Sequence, residues 1–286
     1  MKVLVIGSSV CDVVINVNKI PKRGEDEHIL SQSFQVGGCA FNVVSQLQFF
    51  DIPFDLFSPI GKGIYGEFVR NFFIKEEIPI LIESDENNGC CYCMVDQTGE
   101  RTFICEHGTE YVFQKQWFDQ LNALDYKYVY ICGLEIEERS GNTIIDFLEK
   151  NSHFQIIFAP SPRIHYIDYQ RMQRLFALHP ILHLNEEEIL SYTQKQTIEE
   201  ASLYLYSYTQ NVIIVTLGEK GCYYYDGEHH YIQGYKVDVI NTIGAGDSHI
   251  GTIIAMLYQN KTLDECMIEA NRIAAKVVGQ KDARCQ

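Results

Sequence analysis

The spacing of apolar residues along the chain predicts strands that alternate with helices. Short apolar runs of the kind that form buried strands lie at Lys2–Gly7, Tyr128–Cys132, Phe154–Phe158, Ile181–Leu184 and Val212–Leu217. Segments with apolar residues at helical spacing lie between them, at Cys39–Phe50, Gly141–Lys150 and Ile198–Thr209. Such alternation is typical of a parallel sheet covered on both faces by crossover helices. The pattern therefore predicts a doubly wound, mainly parallel α/β domain, in which ligands bind at the carboxyl ends of the strands.

Two regions depart from this alternation. Cys11–Phe34 and Cys90–Glu106 lack helical periodicity and are typical of β-hairpins, the second with a turn at Asp96–Glu100. They predict a small β-sheet lid, built from about residues 11–35 and 88–110 and woven into the large domain. Because the sequence has no repeat, low-complexity tract or linker, we expect residues 1–286 to form a single unit. The free strand edges of the lid also suggest a homodimer formed through it.

Composition narrows the possible partners. The 286 residues include 23 basic and 38 acidic side chains, a formal net charge of -15, which argues against a nucleic-acid backbone or a membrane surface as partner. The sequence shows neither an apolar stretch of the roughly 20 residues that a membrane span needs nor a signal peptide. We therefore expect a cytoplasmic protein with reduced cysteines. Metal binding by the cluster Cys90, Cys91 and Cys93 is disfavoured, because no second pair at ligand spacing follows it.

The stretch NTIGAGDSHIGTIIAML, residues 241–257, carries the strongest chemical signal. Apolar residues at helical spacing after Asp247 predict a helix that begins at or just before it: Ile250, Ile253, Ile254 and Leu257. Gly244, Ala245 and Gly246 let a ligand approach the unpaired N–H groups at that helix start, a position that suits a phosphate. A carboxylate beside phosphate is better suited to accepting a proton than to binding the anion. The alternative is a helix-ending turn followed by an aspartate cap.

Two features near the amino terminus suggest contacts with hydroxyl groups. Gly37 and Gly38 precede the helix that carries Asn42, whose amide offers both a donor and an acceptor. Asp12 lies a few residues past the first strand, where it can accept hydrogen bonds from a polyol. A structural turn and a turn aspartate are the alternatives for these two features.

Two further features follow strands in the second half of the chain. Asn185 and Glu188 lie where a strand passes into a helix, and their oxygens can hold the water shell of Mg²⁺. The alternative is a glutamate-rich helix start that complements the macrodipole. Gly218 and Gly221 can form a pocket lined by backbone for a flat or phosphorylated ligand. A tight hairpin turn explains the same two glycines.

The order of these features carries more information than any one of them. Paired glycines with a following asparagine, then NxxE, then TLGxxG and TIGAGD occur in that sequence, with α/β rhythm between them. This order resembles the ribokinase-like (PfkB) carbohydrate kinase family over essentially the whole chain. The resemblance implies a ribokinase-like fold and transfer of the γ-phosphoryl group of ATP, with Mg²⁺, to a hydroxyl. The acceptor is commonly the primary alcohol of a sugar or nucleoside.

The resemblance also implies residue roles. Asp247 matches the general base, and the N–H groups around Gly244, Ala245 and Gly246 match the anion hole for the transferred phosphoryl. The nucleotide side is implied to comprise Asn185 and Glu188 with Mg-ATP, Thr216, Gly218 and Gly221 in the pocket, and Asn271 against the adenine. The substrate side is implied to comprise Asp12, Gly38, Asn42, Glu135 and Arg163, the last a natural partner for phosphate or carboxylate.

Four departures from the family pattern bear on substrate and cation. Asn241 replaces an aspartate that helps to ligate potassium in cation-activated members, so activation by a monovalent cation is doubtful. Ala159 and Gly63 replace frequent aspartates, which blurs the identity of the substrate. Cys39 stands where ribokinase has a lysine, which disfavours ribokinase itself.

Two alternatives to a sugar kinase stay open. A nucleoside kinase of the pseudouridine or adenosine type needs aromatic side chains in the acceptor pocket, and the sequence offers Phe34, Phe41 and Tyr92. A non-catalytic sugar or nucleotide sensor on the kinase fold is disfavoured, because it has no physical need for a carboxylate beside an anion site.

Overall fold

The computed structural model describes residues 1–240, 242 and 244–280. Its strands are β1 (Lys2–Ile6), β2 (Val10–Val17), β3 (Ile29–Gly37), β4 (Phe54–Phe57), β5 (Pro59–Lys62), β6 (Ile82–Asn87), β7 (Cys90–Val95), β8 (Arg101–Glu106), β9 (Tyr126–Cys132), β10 (Gln155–Ala159), β11 (Ile181–Asn185), β12 (Ile213–Thr216), β13 (Gly221–Tyr225) and β14 (His229–Gln233). Its helices are α1 (Cys39–Phe49), α2 (Gly63–Lys75), α3 (Gly133–Glu137), α4 (Gly141–Glu149), α5 (Tyr169–Phe176), α6 (Glu186–Thr193), α7 (Ile198–Thr209), α8 (Ala245–Tyr258) and α9 (Leu263–Val278).

An eight-stranded sheet forms the centre of the large domain, with the order β14-β13-β12-β11-β10-β9-β1-β4. Its strands from β12 through to β4 pair in parallel, whereas β13 and β14 complete one edge in antiparallel pairing. The predicted doubly wound, mainly parallel sheet is therefore confirmed. The strands predicted from apolar runs are present, with ends that differ by one or two residues.

Both faces of this sheet are buried. In β1, Val3 and Val5 belong to a core cluster with the helices α1, α8 and α9, whereas Leu4 and Ile6 belong to a second cluster with α4, α5 and α7. Successive side chains of a strand point to opposite faces, so a strand covered on both sides needs apolar residues at every position. This requirement explains the continuous apolar runs in the sequence.

The two predicted hairpins form a separate four-stranded sheet with the order β3-β2-β7-β8, which we call the lid sheet. β2 pairs with β3 and β7 with β8 in antiparallel hairpins, and β2 pairs with β7 in parallel to join them. The turn between β7 and β8 is closed by a 3.1 Å hydrogen bond from the Asp96 N–H to the Glu100 carbonyl. The small separate sheet is thus confirmed.

The strand register assigns residues to the two faces of the lid sheet. Asp12 lies opposite Gln35 and Cys91, so these side chains share one face. Val13 lies opposite Phe34 and Tyr92, which share the other face. That second face packs on α2, where the rings of Phe34 and Phe68 lie 5.8 Å apart and the hydroxyls of Tyr92 and Tyr65 are 2.7 Å apart. The face that carries Asp12 is the one turned away from α2.

The outer strands of the lid sheet, β3 and β8, carry exposed apolar side chains. These are Ile29, Leu30, Phe34, Phe103 and Ile104, each about half exposed. Unpaired strand edges with exposed apolar groups are typical of surfaces that pair with another chain. A homodimer contact through this sheet stays a prediction.

The cysteines in the described part of the chain are free thiols. Cys91 and Cys105 face each other across β7 and β8, with 3.4 Å between their Sγ atoms. Among the described residues, no group of three or more His, Cys, Asp or Glu side chains is arranged to hold a metal ion. None of the helices described combines the length and the apolar character that a membrane crossing requires.

Candidate active site

The glycine-rich loop forms the start of α8, as the sequence predicts. The helix begins at Ala245, and Gly244 precedes it with a φ of 73°, a left-handed conformation that favours glycine. The first N–H groups of a helix have no partner within it. A Cβ atom added to Gly246 would meet no heavy atom of the described residues within 4 Å, so the space over this loop is open with respect to them. The loop is therefore accessible to an anion.

Asp247 lies on the first turn of α8 and contacts Asn42 of α1. Its Oδ2 accepts a 2.8 Å hydrogen bond from Asn42 Nδ2, although the two residues are 205 positions apart in sequence. Burial raises the pKa of Asp247, and the hydrogen bond from Asn42 partly offsets this rise. A carboxylate with a raised pKa is a stronger proton acceptor than an exposed one. The fold thus joins the predicted base to a predicted substrate-binding residue.

Glu135, in α3, contacts the segment that follows β1. Its side chain is 1% exposed, and its Oε1 accepts a 2.8 Å hydrogen bond from the Ser8 N–H. The second oxygen, Oε2, has no hydrogen-bond partner among the described residues. Burial raises the pKa of Glu135 to about 7. One carboxylate oxygen is therefore buried and unpaired within the described part of the chain.

Asp12 approaches the same edge from the lid sheet. A Cβ atom added to Gly37 would lie 2.1 Å from Asp12 Oδ2, so the carboxylate occupies the space above that glycine. A Cβ atom on Gly38, whose φ is 100°, would lie 2.5 Å from the Ser8 carbonyl oxygen. Burial raises the pKa of Asp12 to about 7. Gly37 therefore leaves room for a carboxylate of the neighbouring lid strand, and Gly38 allows the close approach of the backbone that follows β1.

Most of the predicted nucleotide residues, but not Asn185, line a cavity of about 750 Å³, a size typical of small-molecule sites. Thr216, Gly218, Gly221 and Asn271 all contribute to its wall. Ala245 and Gly246 also line it, so the cavity opens onto the glycine-rich loop. The remaining wall comes from Glu219, Gly234, Tyr235, Lys236, Val237, Asp238, Val239, Thr242, His249, Ala274, Ala275 and Val278.

Behind this cavity lies a hydrogen-bonded chain that the sequence did not suggest. Asn271 Nδ2 donates to the carbonyls of Ile232 and Gln233, which leaves its Oδ1 to accept, at 3.2 Å, from His249 Nε2. His249 Nδ1 must then accept from His183 Nε2, 2.9 Å away. Burial lowers the pKa of His249 to about 4 and that of His183 well below its usual range, so both rings are neutral. This row of hydrogen bonds ties β11, α8, α9 and β14 together.

These hydrogen bonds bear on the expectation that Asn271 contacts the adenine. Its amide group already has partners on both its nitrogen and its oxygen, all within the protein. Asn271 therefore contributes to the shape of the cavity wall and holds His249 in place. An adenine contact by this residue stays a prediction.

Asn185 and Glu188 lie at the junction of β11 and α6, where they form a capping box. The Asn185 side chain accepts from the Glu188 N–H at 2.8 Å, and Glu188 Oε2 accepts from the Asn185 N–H at 2.9 Å. Asn185 is also in register with Thr216, a residue of the cavity wall. Burial raises the pKa of Glu188. The two residues thus have a structural role as a cap, which the sequence did not suggest, and the cap leaves Glu188 Oε1 as the oxygen that suits a water-mediated ion. Mg²⁺ binding here stays a prediction.

Arg163, on a short 3-10 helix at Ser161–His165, already has a carboxylate partner. Its Nε lies 2.6 Å from Glu137 Oε2, and its guanidinium covers the ring of Tyr166 at 4.2 Å. The ion pair with Glu137 raises the pKa of Arg163 further. The carboxylate that pairs with Arg163 is thus a side chain of the protein itself, Glu137. Asn241, on which the potassium expectation rests, lies outside the described residues.

A doubly wound sheet, a small second sheet over its carboxyl edge and a glycine-rich helix start beside a nucleotide-sized cavity define an α/β enzyme that handles a phosphorylated ligand. The chain belongs to the pfkB family of carbohydrate kinases, whose family profile matches residues 1–285. It is similar to the uncharacterized sugar kinase YegV of Escherichia coli K12, with 30% identity over 99% of this chain and 90% of that protein.

Two further comparisons agree with this assignment. The nucleoside kinase of Thermoplasma acidophilum is 26% identical over 93% of this chain and 86% of its own length. The crystal structure of ribokinase from Thermotoga maritima superposes with a TM-score of 0.85 at 22% identity, covering 99% of this chain and 94% of that one. The ribokinase-like fold is therefore confirmed, and the chain is a kinase of the sugar and nucleoside type.

Proposed function

We propose that the protein transfers the γ-phosphoryl group of ATP to a hydroxyl, preferentially a primary alcohol, of a sugar. The contact between Asp247 and Asn42 carries this proposal, because it lies where three features meet. These are the open loop at the start of α8, the 750 Å³ cavity, and the polar groups at the end of β1.

The residues support a direct transfer in which the acceptor hydroxyl lies between Asp247 and the loop. Asp247 accepts the proton of that hydroxyl as the oxygen attacks. The N–H groups around Gly244, Ala245 and Gly246 stabilise the charge that develops on the equatorial oxygens. The lid sheet, as it closes over the acceptor, excludes water from the reaction. ATP supplies the phosphoryl group when it is bound.

The capping box at the start of α6 is the proposed site for the Mg²⁺ that accompanies ATP. Mg²⁺ prefers oxygen ligands and keeps several of its waters, so one half-buried carboxylate fits this role. Glu188 would hold the ion through water with Oε1, while Oε2 keeps the cap intact.

We expect Glu188→Gln to raise the Mg²⁺ concentration needed for half-maximal activity by about tenfold. The amide keeps an oxygen for the cap but loses the charge that attracts the hydrated ion. Titration of activity with Mg²⁺ measures this shift, and the exposed neighbour Glu187→Gln is the matched control. Identical Mg²⁺ dependence in the variant and the parent would mean that Glu188 only caps the helix.

The positions of the aromatic side chains favour a sugar over a nucleoside. Phe41 is 1% exposed and its ring lies 6.0 Å from that of Phe73 in the core, where it cannot stack on a base. Phe34 and Tyr92 belong to the lid face that packs on α2, opposite to the face that carries Asp12. The three aromatic candidates from the sequence thus lie in the core or on the lid face that packs on α2. A nucleoside kinase of the same family remains the alternative.

Release of ADP from Mg-ATP, measured with matched panels of sugars and nucleosides, tests the proposed function. We expect turnover above the background ATPase rate with at least one sugar. Turnover with nucleosides alone would replace the sugar by a nucleoside and leave the chemistry unchanged. Silence across both panels, with Mg-ATP binding intact, would favour the sensor alternative.

A further inference from the structure

We propose that Cys91 and Cys105 form a modification site in the lid sheet, at which hydrogen peroxide introduces a disulfide bond between β7 and β8. The site goes beyond the proposed function, because formation of the disulfide does not require a kinase. Its effect on turnover rests on that function. The proposal follows from the strand register, the distance between the two sulfur atoms and the unequal exposure of the two thiols.

The register of the β7–β8 hairpin gives the two cysteines the geometry that a disulfide needs. Hydrogen-bonded and non-hydrogen-bonded pairs alternate along an antiparallel hairpin. The bond from the Asp96 N–H to the Glu100 carbonyl marks a hydrogen-bonded pair at the turn. Cys91 and Cys105 lie five pairs farther along, so they form a non-hydrogen-bonded pair. The Cα atoms of such pairs are about 4.5 Å apart, within the range of about 4.4 to 6.8 Å found for disulfides.

The two sulfur atoms already lie side by side. Cys105 Sγ is 3.4 Å from Cys91 Sγ, and both thiols are free. A disulfide holds its sulfur atoms about 2.0 Å apart, so the two need to approach by about 1.4 Å. Backbone movement is needed only when the Cα atoms are more than about 7 Å apart or the side chains point apart. The strands can therefore keep their pairing when the bond forms.

Unequal exposure gives the two thiols different parts in the reaction. Among the described residues, Cys105 is the one exposed cysteine, and it lies on β8 at the edge of the lid sheet. Cys91 is half-buried, and burial together with the nearby Asp12 carboxylate raises its pKa, so it stays protonated. Oxidation follows thiolate character and exposure. Peroxide therefore reacts first with Cys105, and Cys91 resolves the product.

A second pair of neighbouring thiols, Cys39 and Cys132, lacks this access. Cys132 is 0% exposed, and Cys39 is not exposed either. Contact with Cys132 and burial raise the pKa of Cys39 well above its usual range. Both thiols therefore stay protonated and shielded under conditions that oxidise Cys105.

The reaction needs only the two thiols and the peroxide. The Cys105 thiolate attacks the O–O bond, which breaks, and the departing oxygen leaves as water with the proton that Cys105 lost. The sulfur of Cys91 then attacks the sulfur of the Cys105 sulfenic acid. The S–O bond breaks, and the hydroxyl leaves as water with the proton of Cys91. Two thiols thus give up two electrons, and one hydrogen peroxide is reduced to two waters.

Peptide mapping of the full-length protein tests the site. The reduced protein is treated with hydrogen peroxide, its remaining thiols are blocked with N-ethylmaleimide, and it is digested with trypsin. Cleavage after Arg101 separates the two cysteines, so a disulfide between them appears as two joined peptides that a reductant releases. We expect this product in protein that runs as a single chain on a non-reducing denaturing gel. Its absence, or a disulfide that links two chains through Cys105, would overturn the proposal.

Three variants assign the reaction to individual thiols. Cys105→Ser should abolish the joined peptides, whereas Cys91→Ser should leave a sulfenic acid on Cys105 that dimedone traps. Cys93→Ser is the matched control, because Cys93 lies on the same strand and face as Cys91 but opposite Phe103. We expect this control to form the disulfide as the parent does. Joined peptides that persist in Cys91→Ser, through Cys90 or Cys93, would overturn the assignment.

The disulfide is expected to lower turnover. It draws Cys91 Sγ toward β8 on the face that carries Asp12, a predicted acceptor contact. We expect kcat/KM for the sugar identified by ADP release to fall about tenfold, because small displacements of positioning groups slow transfer. Affinity for Mg-ATP should change little, since neither cysteine lines the nucleotide cavity. Dithiothreitol should restore turnover, and Cys105→Ser should be insensitive to peroxide.

The outcomes separate the site from its effect and from the kinase function. Unchanged kcat/KM in fully oxidised protein, or equal loss in Cys105→Ser, would refute the effect on turnover. A disulfide in a protein that turns over no acceptor, with Mg-ATP binding intact, would instead refute the kinase function and support the site.

Discussion

The Asp247→Asn variant is expected to lower kcat by about 10² to 10⁴, the range typical of a positioned general base. The asparagine keeps the size and the oxygen that accept the hydrogen bond from Asn42, so the start of α8 should keep its geometry. It cannot accept the proton of the attacking hydroxyl. Because Asp247 is outside the wall of the nucleotide cavity, the dissociation constant for Mg-ATP should change little. Steady-state kinetics and equilibrium nucleotide binding measure the two effects separately.

The pH profile gives an independent check on this role. The base must be ionised, and burial raises the pKa of Asp247, so activity should fall as the pH drops through a value above the usual carboxyl range. Asp12 and Glu135, with pKa values of about 7, titrate in the neighbouring region. Asp26→Asn is the control, because Asp26 is exposed in the loop that precedes β3. The loss of activity at low pH that disappears in Asp247→Asn but persists in the control is the one due to the proposed base. Equal losses of nucleotide affinity and rate would show that Asp247 has a structural role.

Gly246→Val is expected to lower kcat/KM by at least 10². An added Cβ meets no atom within 4 Å in the part of the chain that the structure describes, so the substitution should leave the fold intact. Its methyl groups would occupy the space that we propose for the transferred phosphoryl. Gly246→Ala should give an intermediate loss, because it fills less of that space. Kinetics on the three proteins, with thermal unfolding as the test of intact structure, measure this series. Full activity in the folded valine variant would refute the anion role of the loop.

The sequence predicted the large domain better than the lid sheet. Runs such as the one in β9 are apolar at nearly every position, which a strand buried on both faces requires. The two hairpins were also predictable from turn chemistry. Their union in one lid sheet was predicted too, but not the parallel pairing of β2 with β7 that joins them. The paired residues, such as Cys11 and Cys90, are far apart in sequence, and no local pattern encodes such a pairing. The strand β4 also escaped notice, since four residues between a turn and a loop carry little periodicity.

The features of the site divide in the same way. Some depend on residues close together in sequence, and others on contacts between distant positions. The start of α8 and the helix start at Asn185 and Glu188 follow from short motifs, because each depends on neighbours within one helical turn. The contact of Asn42 with Asp247 and that of the Ser8 N–H with Glu135 span 205 and 127 positions. The pairing of His183 with His249 spans 66 positions and has no motif at all. Such contacts arise only from the packing of whole elements.

The close approach of Asp12 to Gly37 links the two positions in any future divergence of this chain. A side chain at position 37 has no room while the carboxylate lies over it, since even a Cβ atom would fall 2.1 Å from Oδ2. A homologue that has lost the carboxylate is freed from this constraint and can replace the glycine. In the reverse order, a substitution at Gly37 would have to displace the carboxylate of Asp12. Position 37 is therefore coupled to the acceptor contact predicted for Asp12, so the two positions are expected to change together among homologues.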